Sequence, residues 1–113
     1  MIYGTLEIEI MNSVWTLQEQ DEDSNISVSD IVDFLSNNNI ERAYTTIKTV
    51  MDRLVSKDAL VRYRFGKKFF YKSAVDREDA KRECLNTISK QLFDGNYVQM
   101  LKFVEKECEK LLV

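Results

Sequence analysis

The chain contains no proline and only three glycines, Gly4, Gly66 and Gly95. Proline and glycine interrupt helices and strands most strongly, and each of the three glycines stands where an element is predicted to begin or end. The apolar pattern predicts helices over about residues 5–17, from Ser27 to the asparagines at 37–39, and over about 43–57, 76–94 and 97–112, with a β-hairpin over 60–72. A length of 113 residues allows one domain, or a small domain with an oligomerising tail.

The first helix carries apolar residues on more than one side, which predicts that it lies in the core. The following stretch QEQDEDSN, residues 18–25, is predicted to be a solvated acidic loop. Ser27 is the predicted N-cap of the second helix, because Asp30 stands three residues after it as in a capping box.

Opposite charges are separated along the chain. Residues 42–72 contain nine Lys and Arg against two acids, Asp52 and Asp58, whereas residues 1–41 contain nine acids and no base. The whole chain has a net charge of -3, but association depends on the local field, and a basic face on an acidic body still neutralises phosphates. The pattern therefore favours double-stranded DNA as a partner that one face of the protein binds.

The third predicted helix has two different faces. At 100° per residue, Ile47, Val50, Met51 and Leu54 fall in one sector that must face the core. The opposite side and its flanks are polar and include Tyr44, Thr45, Thr46, Lys48, Thr49, Asp52, Arg53 and Ser56. Hydroxyls beside a cation suit phosphate contact and base-edge recognition in a major groove. An ordinary surface helix also presents a solvated polar face, so this pattern alone does not choose between the two.

The segment LVRYRFGKKFFYK, residues 60–72, has strand residues on both sides of Gly66. Since Val61, Tyr63 and Phe65 alternate with two arginines, one face is predicted to cover the core while the other stays basic. A hairpin directly after a polar-faced helix predicts a winged helix-turn-helix, although edge strands also carry cations to prevent strand addition. The residues predicted to hold the DNA backbone are Arg62, Arg64, Lys67 and Lys68. The predicted fold class is mainly α with a small β-hairpin wing, followed by a C-terminal helical dimerisation region.

The last two helices carry apolar residues that need a partner. The final helix places a stripe within one 120° sector, and the helix before it is too small to cover that stripe. A two-fold homodimer through interlocking tails is the simplest solution, and folding back onto the same chain is the alternative. The predicted domains are residues 1–74 for DNA binding and 75–113 for dimerisation, through Leu85, Ile88, Leu92, Tyr97, Leu101, Val104, Cys108 and Leu111.

Three segments, TLEIEIMNSVW, AYTTIKTVMDRLVSKDALV and FFYKSAVDREDAKR, resemble the penicillinase repressor (BlaI/MecI/CopY) family of bacterial transcriptional regulators. The resemblance implies a winged-helix repressor that binds a palindromic operator as a homodimer and blocks transcription until a signal releases it. It also implies that Tyr44, Thr45, Thr46, Lys48 and Thr49 read the operator. Arg64, Lys67 and Lys68 are implied to hold the wing on phosphate.

The chain departs from better-known relatives where the signal acts. Copper-responsive members carry clustered C-terminal cysteines, whereas Cys84 and Cys108 lie 24 positions apart and the chain has no His. We therefore expect no metal, no other cofactor and reduced thiols, with a Cys108 pair across the dimer axis as a redox alternative. Beta-lactam-responsive members are cleaved at an Asn-Phe bond by a sensor protease, and the corresponding bond here is Lys102-Phe103. The chain also ends before the family's last helix, which predicts a smaller or rearranged interface.

An enzyme is not expected, because the sequence has no His, no paired carboxylates in an apolar setting and no glycine-rich phosphate loop. The alternative function is a winged-helix protein-interaction module whose basic face binds an acidic partner. No stretch resembles a signal peptide or a membrane span, so we expect a cytoplasmic protein.

Overall fold

A computed structural model of the chain describes residues 3–112. The elements are, in order, α1 (Thr5–Gln20), α2 (Val28–Asn37), α3 (Tyr44–Ser56), β1 (Leu60–Phe65), β2 (Lys68–Ser73), α4 (Arg77–Leu92) and α5 (Tyr97–Leu111). The predicted fold class, mainly helical with a small hairpin wing, is confirmed. The described chain forms two compact units, one comprising Tyr3–Arg77 and the other beginning at Glu78.

The core of the first unit is built where α1, α2 and α3 meet. α1 packs on α2 and α3, β1 packs on α3, and β2 packs on α1. Each helix contributes its apolar positions at helical spacing, so that the centre is closed to solvent. The fully or almost fully buried residues there are Ile10, Met11, Val14, Ile31, Leu35, Ile47, Met51, Leu54, Leu60 and Tyr71.

The start of α2 forms as its sequence predicts. Ser27 Oγ accepts the backbone N–H of Asp30 at 3.1 Å, and a carboxylate oxygen of Asp30 accepts the backbone N–H of Ser27 at 2.9 Å. This capping box satisfies two donors that a helix N-terminus would otherwise leave unpaired. The helix ends at Asn37, and the turn that follows places Asn39 at a φ of 65°, a left-handed conformation that asparagine tolerates better than most residues.

The first helix is longer than its sequence predicts, because it continues to Gln20 and the acidic loop begins only at Asp21. The side chain of Gln18 holds the last turn to β2: its Nε2 donates to Ser73 Oγ at 2.8 Å, and its Oε1 accepts the Ser73 N–H at 2.7 Å. Arg77 Nη1 also donates to a Glu19 carboxylate oxygen at 2.8 Å. Three of the residues predicted to be loop are therefore helical.

A further set of contacts fastens α1 to the segment that follows the hairpin. The indole Nε1 of Trp15 donates to the carbonyl oxygen of Val75 at 3.0 Å. The Arg77 guanidinium lies 5.4 Å from the centre of a Trp15 ring, a distance suited to cation–π attraction. Together these contacts fix where the chain leaves the first unit.

The hairpin corrects one sequence prediction. In its antiparallel register Arg62 lies opposite Tyr71, and Leu60 lies opposite Ser73. Because alternate residues share a face, Arg62 stands on the same face as buried Leu60 and Tyr71. Val61, Tyr63 and Phe65, which the alternation predicts to cover the core, lie on the other face. Val61 and Phe65 are exposed, Phe65 by 66%, and Tyr63 is half-buried. The arginine face is accommodated because an acid on α3 neutralises Arg62.

The second unit consists of α4, a tight turn and α5. Asp94 and Gly95 in the turn both have positive φ, 52° and 76°, so Gly95 lies at the break between two helices that the sequence predicts. The Phe93 and Phe103 rings lie 5.8 Å apart, and Tyr97 Oη donates to Asn86 Oδ1 at 3.4 Å. Within residues 3–112, no helix is both apolar and long enough to span a membrane.

Candidate nucleic-acid interface

The third helix presents the two faces that its sequence predicts. Its core-facing residues, Ile47, Val50, Met51 and Leu54, are buried. The five residues predicted to read an operator are all exposed: Tyr44, Thr45, Thr46, Lys48 and Thr49. One of these hydroxyls is already engaged, because Thr49 Oγ1 donates to the carbonyl oxygen of Thr45 at 2.8 Å.

An open cleft of about 510 Å³ runs between the start of α2, the start of α3 and the hairpin. It brings together four of the nine residues predicted from sequence for DNA contact, Tyr44 and Lys48 from α3 with Arg62 and Lys68 from the hairpin. Its remaining lining residues are Ser27, Val28, Ser29, Phe69 and Tyr71. The start of α2 contributes backbone and polar side chains to this surface, and the Asp30 carboxylate that caps it offsets the partial positive charge of the helix N-terminus.

A carboxylate lies among these cations. Asp52, one turn after Lys48 on α3, accepts hydrogen bonds from Lys48 Nζ at 2.8 Å and from Tyr71 Oη at 2.8 Å. Arg62 Nη1 approaches the same carboxylate at 3.2 Å. Asp52 therefore connects α3 with both strands of the hairpin, and it neutralises part of the charge of two cleft residues.

The protonation of this group follows from its surroundings. Burial acts to raise the pKa of Asp52, but the hydrogen bonds from Lys48 and Tyr71, together with the positive charges of Lys48 and Arg62, outweigh burial and hold that pKa below its ordinary value. Burial, followed by the hydrogen bond to Asp52, raises the pKa of the Tyr71 phenol to about 12. At neutral pH the phenol is thus a donor and Asp52 is an anion.

The hairpin tip presents aromatic and basic side chains to solvent. The exposed ring of Phe69 lies 5.0 Å from the Arg62 guanidinium and 5.8 Å from that of Arg64. Arg64 Nε also donates to the carbonyl oxygen of Gly66 at 3.2 Å. Lys67 and Lys68 are exposed and form no ion pair with any residue of the described range 3–112, so their charge is uncompensated at close range.

The remaining predicted contact residues lie outside the cleft. Thr45, Thr46 and Thr49 are on the exposed surface of α3, and Arg64 and Lys67 are at the hairpin tip. Sequence reasoning missed Phe69, Tyr71 and the start of α2 as parts of this surface. It noted Asp52 only as a polar-face residue, although an acid in such a basic stretch was a signal that it pairs with cations nearby.

The residues predicted for dimerisation are exposed on the second unit. Leu111 is 84% exposed and Leu92 is 74% exposed, and the others are Leu85, Ile88, Tyr97, Leu101, Val104 and Cys108. Met100, which belongs to the same sector of α5, is buried. Over the described residues 3–112, no cluster of three or more His, Cys, Asp or Glu side chains is arranged to hold a metal ion.

Comparisons with known proteins agree with this architecture. The penicillinase repressor family matches residues 3–111. The penicillinase repressor of Staphylococcus aureus is 26% identical over 112 residues, which cover 93% of this chain and 83% of that protein. The structure is similar to that of monomeric Bacillus licheniformis BlaI in complex with the blaP half-operator, with a TM-score of 0.52 and 26% identity over 70% of this chain and 88% of BlaI.

A more distant likeness shows the fold alone. The ferric uptake regulator of Francisella tularensis, solved with iron, has a TM-score of 0.51 and 17% identity over 66% of this chain and 54% of its own length. The family match covers nearly the whole chain, and it confirms the resemblance carried by the sequence motifs. The chain belongs to the penicillinase repressor family, whose members are transcription regulators and not enzymes.

Proposed function

We propose that this chain is a transcriptional repressor that inserts α3 into the major groove of double-stranded DNA and rests its hairpin on the phosphate backbone. The observation that carries the proposal is the basic cleft, where Lys48 of α3 and Arg62 and Lys68 of the hairpin meet. A helix that reads bases needs a second element to fix its register on phosphate, and the hairpin supplies cations for that purpose.

The proposal assigns different roles to the two elements. The exposed residues of α3 read base edges: Tyr44, Thr45, Thr46, Lys48 and Thr49. Arg62, Arg64, Lys67 and Lys68 contact phosphate, which carries no sequence information of its own. The BlaI structure supports DNA binding by this fold, because that protein was solved with a half-operator and is 26% identical to this chain.

The proposal includes a homodimer on a palindromic operator, with residues 1–74 binding DNA and residues 75–113 pairing the subunits. Support comes from the many exposed apolar side chains of α4 and α5. Monomeric proteins rarely expose so many apolar side chains on neighbouring helices. A two-fold axis through these helices separates the two reading helices by about one turn of DNA, or by a multiple of one turn. The two half-sites of the operator are then related as a palindrome.

DNA binding is tested by fluorescence anisotropy with labelled 30-base-pair duplexes across a salt series. We expect the logarithm of affinity to fall linearly with the logarithm of salt concentration, because bound cations release counterions. Lys67→Ala with Lys68→Ala should reduce that slope by about 0.9 for each phosphate that the variant no longer neutralises. Lys81→Ala with Lys90→Ala removes the same charge from α4 and serves as the control.

The outcome that contradicts the proposal is equally definite. Phosphate contacts are stronger at low salt than at high salt. If wild-type protein binds no duplex even at about 50 mM salt, the chain is not a DNA-binding protein. The basic surface would then favour the interaction module, and an acidic protein partner would be its ligand.

Release by a signal completes the proposal. A sensor protease acting near Lys102-Phe103 meets a bond inside α5, and Phe103 packs against Phe93. Proteolysis there requires α5 to open locally, because a protease binds an extended segment. Mass spectrometry of the protein from bacterial cells treated with a beta-lactam tests this step. A new fragment that ends at Lys102 would identify this bond as the cleavage site. Because Lys102 stands where the beta-lactam-responsive relatives have Asn, an intact chain in cells where the target gene is derepressed would show that a different signal acts.

A further inference from the structure

Asp52 lies beside the basic cleft and competes with phosphate for two of its cations. Asp52 is bound at 2.8 Å by Lys48 Nζ and at 3.2 Å by Arg62 Nη1, and both of these cations line the cleft. In the free protein two of the three cleft cations therefore already have an anionic partner. Lys68 is the third, and it forms no ion pair within residues 3–112.

The Asp52 carboxylate is held in place and does not swing freely on the helix surface. Its third donor is the Tyr71 hydroxyl at 2.8 Å, and Tyr71 is almost fully buried on β2. Because Tyr71 lies directly opposite Arg62 in the hairpin register, the hydroxyl and the guanidinium approach Asp52 from neighbouring strands. The carboxylate thus fixes the positions of Lys48 and Arg62 relative to each other.

We infer that Asp52 is a specificity-determining residue that weakens binding to non-operator DNA by reducing the attraction of Lys48 and Arg62 for phosphate. This inference rests on the proposed DNA-binding function. A Lys48 ammonium has three donors, so it reaches a base edge while it keeps its bond to Asp52. A phosphate that approaches Lys48 or Arg62 is instead repelled by the Asp52 carboxylate, and it meets cations whose charge Asp52 already partly neutralises.

The consequence differs between the two kinds of DNA. Non-operator duplexes offer the protein mainly phosphate, which every sequence presents equally. The electrostatic penalty from Asp52 therefore falls most heavily on non-operator binding, where phosphate contacts supply most of the affinity. On an operator, base contacts form with the ion pairs intact, so Asp52 widens the ratio between the two affinities.

The test compares Asp52→Asn with Asp58→Asn in the full chain. Asparagine keeps the shape of Asp52 and an acceptor for the Tyr71 hydroxyl, but it removes the charge that holds the cations. Asp58 is the other acid among residues 42–72; it is exposed in the turn after α3 at a φ of 62°, which asparagine tolerates. The two variants change the net charge equally, and only Asp52→Asn removes an ion-pair partner of the cleft cations.

Binding is measured on a random-sequence 30-base-pair duplex and on a duplex that wild-type protein selects from a randomised pool. Asp52→Asn should bind the random duplex up to about fivefold more tightly for each of the two cations that no longer pairs with an acid. Its salt slope should steepen by about 0.9 for each additional phosphate that the variant neutralises. Affinity for the selected duplex should change less, so the discrimination ratio falls. Asp58→Asn should leave that ratio at the wild-type value.

Equal effects of the two substitutions, or an unchanged ratio in Asp52→Asn, would overturn the inference. Asp52→Ser repeats the test with a hydroxyl in place of the amide, and circular dichroism establishes that each variant is folded. Failure of the proposed function looks different, because wild-type protein itself would then bind neither duplex.

Discussion

Glu7 of α1 and Lys57 at the end of α3 form an ion pair, with 2.8 Å between Oε2 and Nζ. The other oxygen of Glu7 accepts the backbone N–H of Gly4 at 2.9 Å. Glu7 is buried, whereas Lys57 is 42% exposed at its side chain. The hydrogen bond from Lys57, followed by that from Gly4, lowers the pKa of Glu7 below its ordinary value of 4.5. Both donors compensate for removing a carboxylate from water.

The first prediction concerns this pair. Glu7→Gln should lower the free energy of unfolding at pH 7 by about 1 kcal/mol. The effect is no larger because Lys57 is partly exposed and water screens the ion pair. A pKa that is lowered in the folded state stabilises the fold above the ordinary pKa, and that contribution disappears as the pH falls below about 4.5. Urea denaturation at several pH values therefore should show the difference between wild type and Glu7→Gln shrinking in acid.

The control for this experiment is Glu22→Gln, an exposed acid in the loop after α1. It removes the same charge without breaking a contact to α3, so its unfolding free energy should stay close to that of wild type. A Glu7→Gln deficit that stays constant from neutral pH into acid would show that the ion pair is not its cause.

Much of the fold follows from local sequence signals. Ser27 and Asp30 define the start of α2 because a capping box involves residues only three apart. The spacing of Ile47, Met51 and Leu54 identifies the buried face of α3 because burial and helical period coincide there. These features need no knowledge of the rest of the chain, and the structure confirms them.

The errors arise where distant residues decide local structure. The last turn of α1 is held by Gln18 contacts to Ser73, 55 positions away, which no local pattern reveals. Hydrophobicity alone places the arginines on the outer face of the hairpin, but the Asp52 carboxylate allows Arg62 to share the face of Tyr71. The composition of the cleft depends on the same long-range pairing, so the sequence predicted its cations and missed their partner.

A second prediction concerns the hairpin turn. Gly66 has a φ of 65°, and an added Cβ would meet nothing within 4 Å, so only the backbone conformation resists substitution. Gly66→Ala should therefore destabilise the fold by about 1 kcal/mol. Gly66→Asn should cost less, because asparagine adopts positive φ more readily. Thermal unfolding of the two variants provides the comparison. Equal destabilisation of both would mean that the positive φ of Gly66 is not the reason why substitution is costly.

A third prediction separates the roles of the two DNA-binding elements. Lys48→Ala with Thr49→Ala should reduce discrimination between selected and random duplexes by about 1–3 kcal/mol for each base contact removed. Lys67→Ala with Lys68→Ala should weaken binding to both duplexes alike, because phosphate is common to them. Competition binding with the two duplexes measures both effects. Identical behaviour of the two double variants would refute the division between a reading helix and a phosphate-binding wing.

The fourth prediction tests the proposed dimer through α5. Leu101 is exposed within the apolar sector, and Leu101→Lys places a charge where the partner subunit is expected. A lysine buried without a partner is costly, so the variant should sediment as a monomer while it keeps its helical content. Gln99→Lys introduces the same residue at an exposed position outside that sector and should remain dimeric. Because two half-sites are then bound independently, Leu101→Lys should also bind a palindrome more weakly. Sedimentation of the wild-type chain as a monomer at micromolar concentration would contradict the dimer before any variant is made.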